Sequence, residues 1–167
     1  MIIGMSIYTF TIIHVIISLV AIASGIVVLV GMLGAHRLPG WTALFLGTTI
    51  LTSVTGFMFP IHGFTPGIGT GIVSILVLGV ALIALYVKHL VGSWRWIYVT
   101  AAATALYFNV LVLIVQSFQK VPALHALAPT QSEPPFLIAQ GCALVIFLVV
   151  GFFAASWFRP ATDVLAP

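Results

Sequence analysis

The chain has 167 residues, of which 62% are hydrophobic and only 4% charged, with a net charge of +3. A soluble domain carries roughly 25% charged residues, so this composition excludes a water-soluble globule and points to lipid as the solvent. Five basic side chains with no basic run exclude a nucleic-acid surface, and the single cysteine, Cys142, excludes an intrachain disulfide.

A membrane-crossing helix needs about 20 predominantly apolar residues. Reading along the chain, five segments approach or meet that requirement: 6–33, 41–59, 67–87, 96–118 and 136–157. The expectation is a single domain over residues 1–167, an all-α integral membrane bundle of five transmembrane helices. The first segment starts without basic residues and runs too long for a signal-peptide core, so it reads as a permanent helix. Turns fall at Gly34–Gly40, Pro60–Pro66 and Lys88–Arg95. The stretch Gln119–Pro135 holds four prolines and reads as a loop.

Charge sets the expected orientation. Arg37, Lys88, Arg95 and Arg159 fall on one side, and Lys120 alone on the other. By the positive-inside rule this places the N-terminus outside and the C-terminus in the cytoplasm. Trp41, Trp94, Trp96 and Trp157 mark the same inner boundary, as interfacial aromatics do.

Polar side chains are costly in lipid, so their placement carries information. His14 is the one histidine well inside a segment. At 1.5 Å of rise per residue it lies roughly 10 Å below the outer end of the first helix. Asn109 lies roughly 15 Å, and Gln116 and Gln140 roughly 6 Å, below the outer ends of theirs. His62 and Thr65 lie in the outer turn before the third segment, where Thr65 suits an N-cap and Pro66 a first helical position. Glu133, at the start of the fifth segment, can pair with Lys120.

These residues define an expected polar pocket in the outer half of the bilayer, formed by His14, His62, Thr65, Asn109, Gln116 and Gln140. Such a pocket suits a quinone, a lipid carbonyl, or a haem of the b type with His14 and His62 as axial ligands. The same amides and histidine equally serve as bonds between helices. Gly67-x-x-x-Gly71 and the Ser18, Ala21, Gly25 face read as close helix packing, and the Thr/Ser run from Thr48 to Thr55 as hydroxyls bonded to their own helix. No nucleophile with a base, no phosphate loop and no metal-binding cysteine cluster can be picked out.

The stretches His62-Gly-Phe-Thr-Pro-Gly, Gln119-Lys-Val-Pro-Ala-Leu and Ala128-Pro-Thr-Gln-Ser-Glu-Pro-Pro-Phe resemble those of a family of uncharacterised small bacterial multi-pass inner-membrane proteins. The resemblance implies a bacterial inner membrane and carries no function. The functional expectation is an accessory subunit of a membrane electron-transfer complex that holds a quinone, haem or lipid, partnered by membrane lipid and other membrane-protein subunits. The alternatives are a purely structural subunit of a membrane complex and a small-solute transporter.

Overall fold

The computed structural model describes residues 2, 4–60 and 66–159, and among these every regular element is helical. Helix α1 spans Ile7–Leu33, and α2 spans Pro39–Phe57. Helix α3 spans Pro66–Leu82 and runs on into a wider π turn, Ile83–Val87. Helix α4 spans Trp94–Lys120, the short α5 spans Pro122–Leu127, and α6 spans Pro134–Trp157.

Local chemistry explains most boundaries. Ser6 caps α1, its Oγ accepting from the Thr9 amide at 3.1 Å. At the other end, Ala35 takes the left-handed conformation at φ 56°, and the His36 amide donates back to the Gly31 carbonyl at 2.9 Å, satisfying an end that would otherwise be bare. Prolines open α2, α5 and α6, where the missing amide hydrogen is no loss. Helix α3 ends differently. The Lys88 amide donates to Ile83, five residues back, and the Leu90 amide to Ala84. His89 and Leu90 follow at φ 50° and 61°, which turns Leu90 under the helix end, where it is buried.

Helices α1, α3, α4 and α6 (for α3, Gly67 through the π turn to Val87) are long and apolar enough to cross a membrane. These are features of a multi-pass membrane protein. Helix α2, at 19 residues and interrupted by Thr48, Thr49, Thr52, Ser53 and Thr55, falls outside that set. The remaining boundaries differ by a turn or less from the sequence expectation, and the Gln119–Pro135 stretch contains α5 and the start of α6 as well as loop.

Helix α4 is the axle, packed by α1, α3 and α6 and touched by α2 and α5. Its buried alanines, Ala101, Ala102, Ala103 and Ala105, keep its surface thin enough for neighbours to approach closely. Across from them Gly25 of α1 leaves no free space for a side chain unless a neighbour shifts. A Cβ there would lie 2.6 Å from the Leu106 side chain and 2.8 Å from the Phe45 ring. Tyr98, Phe45, Met32, Leu78, Leu106 and Val99 complete a fully buried apolar centre.

Helix α6 is the opposite case. Only 11% of its spanning window is buried, against 44% for α4. Gly151 and Ala154 seat it on the bundle, with Gly151 facing the Ala103 methyl group. Leu137, Ile138, Val145, Leu148 and Phe152 remain exposed, as expected of a surface solvated by acyl chains rather than water.

Candidate functional site

The polar residues within the spans are distributed over several interfaces. His14, half-buried on α1, meets α2 through its Nδ1, which lies 2.7 Å from the Thr55 hydroxyl oxygen. That hydroxyl donates its proton to the Leu51 carbonyl at 2.7 Å. With that proton on Leu51, the hydroxyl oxygen is free to accept, which assigns the ring nitrogen as the donor. Phe59 sets the ring edge-on at 5.3 Å between centroids, and Phe10 in turn packs edge-on against Phe59.

Asn109, half-buried on α4, donates from Nδ2 to the Thr49 hydroxyl of α2 at 3.2 Å. Gln140, on α6, donates from Nε2 to the Leu111 carbonyl of α4 at 3.2 Å, while its Oε1 is buried without a partner. Gln116 is exposed. Hence His14 and Asn109 are gathered onto α2, one near its C-terminal end and one near its middle, whereas Gln140 bonds α4. No hydrogen bond joins any two of His14, Asn109, Gln116 and Gln140. His62 and Thr65 lie outside the described residues.

The loop between α5 and α6 is organised by its own side chains. Gln119 Nε2 donates to the side-chain Oε1 of Gln131 at 3.3 Å, and Gln131 Nε2 donates to the Val115 backbone carbonyl at 2.8 Å. Glu133 and Lys120 form no ion pair. The Glu133 carboxylate instead accepts from the Thr130 amide and hydroxyl and from the Ser132 amide, at 3.1, 2.8 and 3.1 Å. Partial desolvation works against its charge, but the hydrogen bonds from Thr130 and Ser132 outweigh it and hold the carboxyl below its ordinary range.

Two spaces can be compared with the expected pocket. One lies among Gly25, Val28, Phe45, Ala102, Ala103 and Leu106; it is apolar and has no room for a water molecule. The other, about 440 Å³, is an open apolar groove along α6 at Ile138, Gly141, Cys142, Val145 and Ile146. None of the four described candidates, His14, Asn109, Gln116 and Gln140, lines either space. Among the described residues no group of three or more His, Cys, Asp or Glu side chains is placed to hold a metal ion.

The sequence reading did not find Thr55 or Thr49 as partners of His14 and Asn109. The threonine run was visible, and Thr48 and Thr55 do bond their own helix. What could not be read was that Thr55 accepts from another helix at the same time. Two further buried hydroxyls, Thr52 and Ser74, have no partner in the bundle.

No family model matches the chain, nor does any curated protein or solved structure.

Proposed function

We propose that the chain is an accessory subunit of a membrane complex. It sits in a bacterial inner membrane with α2 as a fifth pass, the N-terminus outside and the C-terminus in the cytoplasm. The observation that carries this reading is how the polar groups inside the helices are used. His14, Asn109 and Gln140 each bond a neighbouring helix, which is how amides and imidazoles hold helices together in lipid. The long, little-buried face of α6 supplies a surface for neighbouring subunits. Native electrophoresis of the chain solubilised in mild detergent from its own membranes is the test. Migration with larger partners is expected, and a stable isolated monomer refutes the reading.

A second reading is favoured by two atoms. Gln140 Oε1 is buried and unpartnered, and such an acceptor costs stability unless something donates to it. His14 donates its Nδ1 proton to Thr55 and keeps the Nε2 lone pair, the arrangement that second-shell bonds impose on metal-ligating histidines. On this reading the outer half holds a quinone, a lipid or a haem of the b type, with His14, His62, Thr65, Asn109, Gln116 and Gln140 around it, within an electron-transfer complex. A dithionite-reduced minus oxidised spectrum of the purified chain tests the haem, and extraction of bound isoprenoid or lipid tests the rest. A blank in both removes this reading and leaves the first intact. A transporter finds less support, because the inner half around Phe45, Met32 and Leu106 is packed and apolar.

A further inference from the structure

Four of the five Lys and Arg side chains of this chain gather at one end of the bundle, with Lys120 at the other. Arg37 lies in the α1–α2 turn, Lys88 and Arg95 flank the α3–α4 turn, and Arg159 follows α6. Side-chain contacts fix these turns together. The Tyr98 ring of α4 packs on Phe158 at 6.3 Å, beside Thr42 at the start of α2. Among the described residues that end has no acidic side chain, and none of its cations is in an ion pair. Lys88 is held over the Trp94 ring at 5.4 Å, which orders its ammonium group without neutralising it. Beside these charges Val87 and Trp96 are exposed, so apolar surface adjoins positive charge.

We infer that this basic end is a binding surface for anionic phospholipid headgroups, with Arg37, Lys88 and Arg95 facing the phosphates and the acyl chains lying along Val87 and Trp96. The argument is charge complementarity at the bilayer boundary. Clustered cations at a helix-bundle end attract anionic lipids, and indoles and long aliphatic stems suit the same depth. The inference rests on the bundle being in a bilayer and not on the subunit reading.

The test uses the full detergent-purified chain titrated with dioleoyl phosphatidylglycerol or dioleoyl phosphatidylcholine, with bound lipid counted by native mass spectrometry. Preferential retention of the phosphatidylglycerol is expected. In the triple variant Arg37→Gln, Lys88→Gln, Arg95→Gln its apparent affinity should fall on the order of a hundredfold, about fivefold per cation. A salt series on the unmodified chain gives an arm independent of the variant's folding, and the preference should shrink as salt rises. Equal retention of the two lipids, a salt-independent preference, or displacement of the lipid by inorganic phosphate at equal concentration overturns the inference. Alkali-resistant insertion into phosphatidylcholine vesicles is measured alongside, so a failure of membrane insertion is read separately from a failure of headgroup selection.

Discussion

The His14 imidazole and the Thr55 hydroxyl, 2.7 Å apart, tie the N-terminal half of α1 to the C-terminal end of α2. Because Thr55 also donates to Leu51, the pair extends the backbone bonding of α2 outward to α1. Replacing His14 by alanine removes this bond and the edge-on contact with Phe59. The loss should be about 1–2 kcal/mol of bundle stability. Thermal unfolding in detergent measures it, and a double-mutant cycle with Thr55→Val should return a coupling of about 0.6 kcal/mol, up to roughly 1.7. A coupling of zero would mean that the observed bond contributes nothing.

The glycines of the bundle should split into two classes on substitution. Gly25→Ala puts a methyl group 2.6 Å from Leu106 and 2.8 Å from Phe45, both fully buried. Overpacking of this kind costs about 1–3 kcal/mol. Gly79, inside α3, has nothing within 4 Å of the position a Cβ would take. Gly79→Ala should be neutral or stabilising by about 0.4–1 kcal/mol, since it restricts the unfolded chain. Equal thermal shifts for the two variants would contradict the close approach of α1 to α4.

Helix positions were legible because prolines and glycines punctuate them. Pro39 at the first position of α2 and Pro134 at that of α6 set boundaries that a hydropathy window blurs by a turn. The π turn at Ile83–Val87 was not legible. Its sequence, IALYV, holds neither glycine nor proline, and the widening becomes visible only where Lys88 and Leu90 bond back across it. The positions of His14 and Asn109 within their helices could be read from residue counting, but their partners could not. Which residue of α2 each one meets depends on how the helices rotate against one another, and packing at Gly25, Phe45 and Leu106 sets that. The Glu133–Lys120 pairing failed for a related reason. Thr130 and Ser132 are adjacent in sequence and already satisfy the carboxylate, whereas Lys120 would have to be held in place from another helix.

Glu133 should make the α5–α6 loop sensitive to acid. Its folded carboxyl lies below the ordinary range, so its contribution is present above the unfolded value, about 4.3. That contribution is lost as pH falls through the lower folded value. Hydrogen exchange of the Thr130 and Ser132 amides should accelerate, relative to the chemical rate, on acidification below that point. Glu133→Gln should remove the pH dependence while keeping an acceptor in place. Amide protection that stays flat into strong acid in the parent chain would show that the carboxylate does not hold the loop.

Asn109 decides between a bond that serves only packing and a residue that also meets a ligand. Its Nδ2 reaches Thr49, a side chain with no solvent exposure. Asn109→Leu removes the donor, at a cost of about 0.5–1.5 kcal/mol. The hydroxyl it leaves is on a helix and can turn to its own backbone carbonyls, so the cost should sit at the low end. If packing is the whole role, Asn109→Leu combined with Thr49→Val should recover most of the parent's thermal stability, because both polar groups are then gone and the interface is apolar. Any quinone or lipid that co-purifies should stay at parental stoichiometry in that double variant. If a ligand does bond Asn109, stability will recover in the double variant while the co-purifying molecule is lost, since restoring helix packing does not restore a donor.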